Sequence, residues 1–293
     1  MHPLTSRCRY DLHSHTTASD GLLTPQQLVL RAVEMGISTL AITDHDTTAG
    51  LGPARAAIVE NQLALTLVDG VEISTLWENH EIHIVGLAID TRHPALCALL
   101  EEQSERRILR AQIIAERLEK ARIPGAWEGA ARYANGGAIT RGHFARFLVE
   151  DGRASTIAGV FKSYLAKGKT GYVPPQWCTI KQAIDAIHHS GGVAVLAHPG
   201  RYRLSAKWLK RLLADFAAAR GDAMEVAQCQ QAPHERSQLA QLARQYHLLA
   251  SQGSDFHQSC PWIELGRNLR LPDDLTPVWS AWESSASVEE RGA

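Results

Sequence analysis

Histidine and carboxylate side chains with the spacing of metal ligands lie near the start of this chain. His13 and His15 are separated by one residue, and Asp20 follows on a segment that ends in Gly21. Side chains two residues apart in an extended segment point to the same side, so both imidazoles can approach one ion. Alone, a His-x-His pair is as typical of an ordinary half-exposed strand as of a metal site. The remaining sequence therefore has to decide between the two.

Five further groups of the same residue types come at or near the ends of predicted strands. They are Asp44-His45-Asp46, Glu72, His83, His198-Pro199 and Asp255-Phe256-His257. Each group by itself has an ordinary explanation as a turn, a cap, a solvated strand residue or a loop. Gathered in one place, however, imidazoles and carboxylates would be poorly solvated without cations between them. The full set therefore predicts a site for several metal ions.

The elements that would bring these groups together alternate along the chain. Apolar runs and amphipathic segments predict β-strands and α-helices in turn near both ends of the sequence. The predicted strands are Cys8–His13, Thr39–Thr43, Leu65–Ser74, Glu81–Ile89, Val193–Ala197, Ala223–Ala227 and Leu248–Ser251. The predicted helices are Pro25–Met35, Pro53–Glu60, Pro94–Arg122, Ile180–Ser190, Ser205–Arg220 and His234–His247.

The predicted fold class is α/β. About seven strand–helix units favour a closed or nearly closed, TIM-like β/α barrel over an open doubly wound sheet. No Gly-x-Gly-x-x-Gly motif follows the first strand, as a dinucleotide-binding open sheet would require. In a barrel of this kind, functional residues gather at the C-terminal ends of the strands. The barrel would therefore bring the histidines and carboxylates to one mouth.

The predicted barrel is discontinuous, formed by residues 8–99 and 179–270. Between these parts, residues 100–178 combine helical, Gly-rich and aromatic segments without a clear strand, and we interpret them as a helical insertion or cap. The small and polar residues 280–293 predict a loose C-terminal tail.

The composition favours a soluble, cytoplasmic protein. The chain has 30 Lys+Arg and 31 Asp+Glu, and its net charge of -1 argues against a broad surface for long nucleic acids. Five scattered cysteines without a Cys-x-x-Cys motif indicate reduced thiols rather than a disulfide framework or a zinc-cysteine site. We expect no membrane association, because no apolar run is long enough to span a bilayer. No obligate protein partner is inferred.

Motif order and spacing between Tyr10 and Gly266 resemble the polymerase-and-histidinol-phosphatase (PHP) metallophosphoesterases. The matching motifs are His13-x-His15 with Asp20, Thr43-Asp44-His45-Asp46, Gly70-Val71-Glu72, His83-Ile84-Val85-Gly86, Ala197-His198-Pro199 and Gly253-Ser254-Asp255-x-His257. Within that superfamily, Asp20-Gly21 and the helical insertion are most similar to the 3′,5′-nucleotide bisphosphate phosphatases. These are related to 5′-to-3′ exoribonucleases of short RNA, including the RNase AM type.

The resemblance implies a distorted β/α barrel, the PHP fold, that holds up to three divalent ions. By position, the first ion would be held by His13, His15, Glu72 and Asp255, the second by Glu72, His83 and His198, and the third by Asp20, His45 and His257. Some relatives carry His where this chain has Asp20. A carboxylate is a harder ligand, so we expect two to three Mn²⁺ ions, with Zn²⁺, Fe²⁺ or Mg²⁺ as alternatives.

The expected reaction is hydrolysis of a phosphoester by a water or hydroxide that bridges the ions beside Glu72. Asp44 and Asp46 are predicted to orient metal-bound imidazoles, although Asp46 could instead only cap the following helix. The predicted substrates are 3′,5′-bisphosphonucleotides, converted to nucleoside 5′-monophosphate and phosphate, and short 5′-phosphorylated RNA degraded from 5′ to 3′.

Basic residues of the insertion are candidates for binding such substrates. Arg141, at a predicted helix start, could hold a 5′-phosphate in a bidentate way, with His143 and Arg201 as further candidates. Lys169 is also a candidate, although for it and the neighbouring lysines a solvated loop is the favoured interpretation. For Trp77 and Tyr172, stacking on a base competes with ordinary core or cap packing.

Two alternative functions stay open at this point. One is a histidinol-phosphatase-like phosphomonoesterase that acts on a small metabolite. The other is a metal-binding module without catalysis, which ranks last because such a loss usually removes ligands and none of the motif residues is missing.

Overall fold

A computed structural model describes residues 9–134 and 136–283 of the chain. Its strands are β1 (Tyr10–Asp11), β2 (Thr39–Ile42), β3 (Thr66–Trp77), β4 (His80–Leu87), β5 (Cys178–Thr179), β6 (Val193–Leu196), β7 (Ala223–Ala227) and β8 (Leu249–Gln252). Its helices are α1 (Pro25–Glu34), α2 (Leu51–Glu60), α3 (Pro94–Lys120), α4 (Ala126–Ala134), α5 (Arg141–Glu150), α6 (Ile157–Val160), α7 (Ile180–His189), α8 (Ala206–Ala218) and α9 (Pro233–Gln245).

The described strands form the nearly closed barrel that the sequence predicts. The seven strands of the barrel follow the order β1-β2-β3-β4-β6-β7-β8. Backbone hydrogen bonds bring the first and last strands together: Leu12 N donates to Gln252 O at 3.1 Å, and Asp255 N donates to His13 O at 2.9 Å. The short strand β5 pairs with β3 outside this path. The prediction of a β/α barrel is therefore confirmed.

One part of the barrel differs from a series of repeated strand–helix units. Strands β3 and β4 are antiparallel neighbours joined by a tight turn, in which Glu78 and Asn79 have φ values of 46° and 66°. Positive φ at both central residues is the geometry of a two-residue hairpin turn. Strand β4 is also antiparallel to β6. Because β4 runs back into the barrel, His83 pairs with Ser74 near the mouth although it lies mid-strand.

Capping residues explain where several helices begin. In α1, the Thr24 side chain accepts from Gln27 N and the Gln27 side chain accepts from Thr24 N, and Pro25 is the first helical residue. The same capping box starts α7 with Thr179 and Gln182. These contacts satisfy backbone N–H groups that a helix start leaves free. They also fix where the preceding loops end. The loop before α1 carries candidate site residues.

The helical region between β4 and β5 has its own hydrophobic cluster, which includes Ile114, Leu118, Phe144, Leu148 and Leu165. A π-helical turn at Phe161–Leu165 follows α6. Helix α3 belongs to both parts of the molecule, because its Leu96 packs in the barrel cluster. A boundary at residue 100 thus falls inside one continuous helix. The division at residues 100 and 178 stays a prediction.

The C-terminal end of the described chain packs against the first strand. Tyr10 stacks on Trp279 with 4.0 Å between ring centroids, and its hydroxyl donates to Glu283 at 2.5 Å. Residues 280–283, the start of the predicted loose tail, therefore follow directly after a segment that packs against the barrel. The rest of the predicted loose tail, residues 284–293, and Cys8 of the first predicted strand lie outside the described residues. Among the helices of residues 9–134 and 136–283, none has both the length and the apolar character needed to cross a membrane.

Candidate metal centre

The loop after β1 is held by a carboxylate from the end of β2. Asp44 accepts hydrogen bonds from Thr16 N and Thr16 Oγ1, both at 2.7 Å, and from Ser19 Oγ at 2.6 Å. These bonds shape the loop that carries Asp20. They differ from the prediction that Asp44 orients an imidazole, because both of its oxygens face the hydroxyl and amide donors of this loop.

Glu72 on β3 lies at the middle of the predicted ligands and is fully buried. Imidazole nitrogens surround both of its carboxylate oxygens. Oε1 lies 2.9 Å from His83 Nδ1, 2.9 Å from His198 Nε2 and 3.4 Å from His13 Nε2; Oε2 lies 2.9 Å from His45 Nδ1 and 3.3 Å from His15 Nε2. One carboxylate is therefore within reach of five histidines from four separate segments.

Two more carboxylates complete the cluster. Asp20 Oδ1 lies 3.2 Å from His257 Nε2 and 3.7 Å from His45 Nε2. Asp255 Oδ1 lies 3.1 Å from His15 Nε2 and 3.3 Å from His13 Nε2. The structure thus brings every predicted metal ligand into one cluster at the barrel mouth.

Within this cluster, three sets of residues have ligand atoms close enough together to hold an ion. The sets are His13, His15 and Glu72; His45, Glu72 and His83; and His15, Asp20, His45 and His257. They overlap the three groups that the resemblance implies but differ in each: Asp255 is absent from the first, His45 replaces His198 in the second, and His15 joins the third. His15 and His45 each belong to two sets, so each lies between two possible ion positions.

Buried atoms without hydrogen bonds test whether metal ions fit this cluster. Asp20 Oδ1, Glu72 Oε2, His45 Nδ1 and His198 Nδ1 are buried and make no hydrogen bond within the described part of the chain. His45 Nδ1 and Glu72 Oε2 are 2.9 Å apart, but without hydrogen-bond geometry. A buried polar atom left unsatisfied costs about 1–3 kcal/mol. Divalent cations accept imidazole and carboxylate ligands and would satisfy these atoms, so the cluster is able to bind metal.

The charges of the cluster shift its pKa values in both directions. Against the effect of burial, neighbouring carboxylates raise the pKa of His13, His45 and His257, so these imidazoles would release a proton on binding a metal ion. Burial would raise the pKa of Glu72, but the neighbouring imidazoles of His45, His83 and His13 lower it well below its usual range. Burial and repulsion from His257 lower the pKa of His15 to about 3. His15 is therefore neutral at physiological pH, and Glu72 is ionised. Neutral imidazole and ionised carboxylate are the forms that bind metal ions.

Three non-glycine residues at the centre have a strained backbone conformation. Asp46, His198 and Asp255 have φ values of 53°, 31° and 52°, in the left-handed region that non-glycine residues rarely adopt. Such conformations persist where the surrounding structure determines them, and they cluster at functional sites. Here they redirect the chain as it leaves β2, β6 and β8 at the barrel mouth.

Glu225 is a residue of the centre that the sequence analysis missed. Its Oε1 lies 2.6 Å from His13 Nδ1, and its Oε2 accepts from His198 N at 2.6 Å. A carboxylate on the second imidazole nitrogen fixes the orientation and tautomer of a metal-binding histidine. The available signal was a single Glu inside the otherwise apolar strand Ala223–Ala227.

Asp46 makes contacts other than those predicted for it. It accepts from Ser74 N at 2.8 Å and Gln103 Nε2 at 3.2 Å, and it forms an ion pair with Arg107. These contacts tie the end of β2 to β3 and to helix α3. Asp46 therefore positions α3 beside the centre, because its oxygens face this helix and the β3 backbone.

A pocket of about 230 Å³ adjoins the cluster. Its walls include the candidate ligands Asp20, His45 and His83 together with Arg107, Arg110, Arg141, Phe161 and Trp177. The guanidinium carbons (Cζ) of Arg107 and Arg110 lie 4.8 and 5.2 Å from the ring centroid of Trp177. Arg107 and Arg110, three residues apart on α3, share one helix face. That spacing was the signal by which the sequence could have revealed them.

Glu81 organises the basic side of this pocket. Its carboxylate accepts from Arg141 Nη2 at 2.6 Å, Arg110 Nη1 at 3.2 Å and Trp177 Nε1 at 2.7 Å. The two guanidinium groups lower the pKa of Glu81 and outweigh the effect of its burial, which would raise it. Arg110 Nη2 is buried and has no hydrogen-bond partner among the residues that the structure describes. This donor is left available for an anion.

The other predicted substrate residues differ in their placement. Arg141 lines the pocket, and Arg201 forms an ion pair with Asp255 at the centre. His143 is only 1% exposed, and its Nδ1 accepts from Thr140 N at 3.1 Å. This contact closes the start of α5, so His143 has a capping role in the structure and does not face the pocket as predicted.

Lys169 and Trp77 lie away from the pocket walls. Lys169 is exposed on the loop after Leu165. Trp77 is buried, and its Nε1 donates to Asp215 at 2.8 Å. Tyr172 accepts from Arg117 through its backbone oxygen. The tryptophan beside the centre is Trp177, which the sequence analysis did not consider.

Comparison with known proteins gives consistent matches along the chain. Residues 11–174 match the PHP domain family. The 5′-3′ exoribonuclease Rnm of Escherichia coli K12 is 73% identical over 282 residues, which cover 96% of each chain. The 3′,5′-nucleoside bisphosphate phosphatase of Chromobacterium violaceum is 42% identical over 269 residues, covering 92% of this chain and 93% of the relative.

A solved structure is similar over nearly the same range. An amidohydrolase from Chromobacterium violaceum, with bound sulfate and no metal, superposes with a TM-score of 0.88 at 40% sequence identity. The match covers 94% of this chain and 96% of the other. The barrel and the helical region described above therefore also occur together in this related protein.

Proposed function

The chain belongs to the PHP domain family, and on this premise we propose that it is a metal-dependent phosphoesterase that hydrolyses the ester at the 3′ oxygen of a 5′-phosphorylated nucleotide. With a terminal 3′-phosphate, the reaction converts a 3′,5′-bisphosphonucleotide to a 5′-monophosphate. With a following nucleotide, it shortens RNA from its 5′ end. The names of the two relatives correspond to these two substrates.

One observation carries this proposal. A cluster able to bind several cations adjoins an enclosed pocket whose basic wall contains Arg107, Arg110 and Arg141. Two separate cationic regions suit a substrate with two phosphate groups, one at the bond that breaks and one that identifies the 5′ end. Arginine is well suited to the second task because its planar group binds a phosphate in a bidentate way.

Metal ions would be held by the three sets of histidines and carboxylates around Glu72. Bound divalent ions supply a water of lowered pKa and neutralise charge that develops on the phosphate oxygens. We propose two to three Mn²⁺ ions, supported by the carboxylates of Asp20, Glu72 and Asp255 among the ligands. Zn²⁺, Fe²⁺ and Mg²⁺ are the alternatives that metal analysis of the purified protein would separate.

The protein residues orient the substrate for attack in line with the leaving oxygen. Arg110 and Arg141 would bind the 5′-phosphate, and Glu81 holds both guanidinium groups in place before the substrate arrives. The Trp177 ring, 5.2 Å from the guanidinium carbon of Arg110, further positions that side chain. Preorganised charges need no rearrangement during the reaction, which makes them effective.

The bond changes explain how one site can serve both substrates. The water oxygen bonds to phosphorus, the phosphorus–O3′ bond breaks, and the 3′ oxygen of the first nucleotide gains a proton. In RNA the phosphorus stays with the shortened chain as a new 5′-phosphate. The shortened RNA is therefore a new substrate, and repeated turnover releases 5′-mononucleotides.

The four described cysteines are free thiols. Reduced thiols are typical of a cytoplasmic protein, and we propose that location.

The test is hydrolysis of 3′,5′-bisphosphoadenosine and of short RNA with a 5′-phosphate or a 5′-hydroxyl, by purified protein supplied with Mn²⁺. We expect 3′,5′-bisphosphoadenosine and the 5′-phosphorylated RNA to be hydrolysed. Arg141→Ala should lower kcat/KM for 5′-phosphorylated RNA by about 10–100-fold, the effect of losing a charged hydrogen-bond pair. The 5′-hydroxyl RNA should be affected much less.

Arg55→Ala is the matched control, since Arg55 forms an ion pair with Asp69 and is not among the residues that line the pocket. It should leave both rates unchanged. Inactivity of the wild-type protein on both phosphorylated substrates would overturn the proposal. Turnover of histidinol phosphate that is indifferent to Arg141→Ala would favour the small-metabolite phosphatase instead.

A further inference from the structure

Two open grooves leave the metal centre in different directions. The α3 groove is lined by Thr48, Glu101, Ser104, Ile108 and Trp127 and has a volume of about 820 Å³. The α5 groove is lined by Leu22, Tyr133, Arg146, Ile157 and Gln258 and has a volume of about 600 Å³. We propose that the α5 groove binds the nucleotide that follows the scissile phosphate of RNA. This inference rests on the proposed function and extends it to the path of the RNA chain.

The need for such a groove follows from the pocket. A 5′-phosphate bound beside Arg110 and Arg141 places the first nucleotide in the pocket of about 230 Å³. The scissile phosphate then lies at the metal cluster, and the rest of the chain must leave through another opening. The two open grooves are the candidates among the described residues.

Continuity with the metal cluster favours the α5 groove. Three candidate ligands, Asp20, Asp255 and His257, form part of its wall. The α3 groove reaches the candidate ligands only through His45. A phosphate at the cluster therefore has a more direct connection to the α5 groove.

Charge favours the same groove. In the α3 groove Arg107 is paired with Asp46, which leaves the acidic Glu101. In the α5 groove Glu150 is paired with Arg132 at 2.9 Å, and Arg201 is paired with Asp255. Asp20 lies 3.2 Å from His257, and the charged group of the groove that remains is an arginine, discussed next. RNA, a polyanion, is repelled by the first arrangement and attracted by the second.

Arg146 is the residue that the geometry makes available to RNA. Its Nη2 donates to the backbone oxygen of Asp20 at 2.6 Å, which holds the half-buried guanidinium at the groove wall. No carboxylate of residues 9–134 and 136–283 lies within ion-pair distance of it. A positioned arginine without an acidic partner can bind a phosphate oxygen through its other N–H groups.

Exposed apolar side chains of the α5 groove suit the base and ribose. Tyr133, Leu22 and Ile157 are 36%, 49% and 41% exposed. A flat ring beside a cation is the usual combination for binding single-stranded nucleic acid without sequence preference. The Tyr133 hydroxyl donates to Glu150 at 3.2 Å, which holds the ring at the groove.

The experiment compares one substitution in the two grooves. Ile157→Glu adds a negative charge to the α5 groove, and Ile108→Glu adds the same charge to the α3 groove, where Ile108 is 50% exposed. Each variant is assayed on 5′-phosphorylated RNA of a few nucleotides and on 3′,5′-bisphosphoadenosine. We expect Ile157→Glu to raise KM for RNA by about tenfold, comparable to the loss of one stacked base, with bisphosphate kinetics within about twofold. Ile108→Glu should stay within about twofold on both.

A second variant tests the phosphate contact. Arg146→Gln should reduce the slope of log kcat/KM against log salt concentration for RNA by about 0.7, the value for one phosphate contact on a single strand. Its metal content is measured alongside, because Arg146 contacts the backbone of Asp20.

The outcomes separate the groove from the function. If wild-type protein hydrolyses neither substrate, the proposed function itself fails. If the bisphosphate is hydrolysed normally while Ile157→Glu leaves the RNA kinetics unchanged, or Ile108→Glu raises KM for RNA in its place, the assignment of the α5 groove is wrong. An unchanged salt slope in Arg146→Gln with full metal content would contradict the role of Arg146.

Discussion

Glu225→Gln is the substitution that most directly tests how the centre is built. Glu225 accepts hydrogen bonds with both oxygens: Oε1 from His13 Nδ1 at 2.6 Å, and Oε2 from His198 N at 2.6 Å and Gln228 Nε2 at 2.8 Å. An amide of the same shape has only one oxygen, so it cannot accept on both sides. If its NH₂ group faces His13, Nδ1 must become the acceptor and the proton moves to Nε2. That nitrogen is the one directed at the cluster.

The expected magnitude follows from these contacts. Both side chains are almost fully buried, so the lost interaction is a charge-assisted hydrogen bond with little competition from water. Such a bond contributes about 1.5–3 kcal/mol, and partners of metal ligands typically change metal affinity or activity by about 10–100-fold. We therefore expect Mn²⁺ affinity to fall by about 10–100-fold, with activity recovering at higher metal concentration.

The assay is titration of metal-free protein with Mn²⁺, followed by bound metal and by hydrolysis of 3′,5′-bisphosphoadenosine. Glu264→Gln is the matched control. Glu264 is also a buried carboxylate, but it pairs with Arg31 at 2.6 Å and is not among the candidate metal ligands. This control should lower the Tm without changing metal affinity. Wild-type affinity and rate in Glu225→Gln would refute the proposed orienting role.

Three further predictions concern single positions. Asp20→Ala should leave the fold intact, as circular dichroism can check, and lower hydrolysis at least about tenfold; unchanged activity with a full metal complement would rule out its role. Burial lowers the pKa of His143 to about 4, so the neutral form stabilises the fold above pH 6.5, and this contribution is lost as the pH falls from 6.5 through 4. At about 1.4 kcal/mol per pKa unit, the loss in free energy of unfolding is about 3 kcal/mol. His143→Gln, which can keep the cap, should flatten this acid dependence when stability is measured by urea unfolding. An equally steep dependence on pH in the variant would contradict the prediction. Gly253→Ala would place a Cβ 2.3 Å from His13 Cβ. We therefore expect this substitution to destabilise the fold by about 1–3 kcal/mol and to weaken metal binding. An unchanged Tm would show that His13 can move without cost.

Several features of the fold could be predicted from the sequence because they depend on neighbouring residues. Thr24, Pro25 and Gln27 start α1 through contacts within one helical turn. The polar turn at Glu78 and Asn79 was also recognisable, since it is a local signal. The antiparallel pairing of β3 and β4 that follows from this turn could not be predicted, because it depends on how the whole barrel closes.

The types of ligand could likewise be predicted, and their partners could not. The His-x-His pair and the residues at the strand ends lie in short segments whose spacing indicates metal binding. Glu225 is more than two hundred positions from His13 in the sequence. Arg107 lies on helix α3 and forms an ion pair with Asp46, which follows β2. Local signals mark Glu225 and Arg107 individually, but no local pattern relates either residue to its distant partner, so the sequence analysis did not identify these pairs.

The sequence by itself thus determined the order of strands and helices, the residue types of the metal centre and the family. Only the tertiary structure decided that His143 caps a helix, that Arg110 and Trp177 help to form the basic pocket, and that Arg146 has no acidic partner within residues 9–134 and 136–283. The physical reason is that backbone conformation responds mainly to adjacent residues. Burial, charge pairing and access to substrate are set by side chains that the fold brings together from distant parts of the chain.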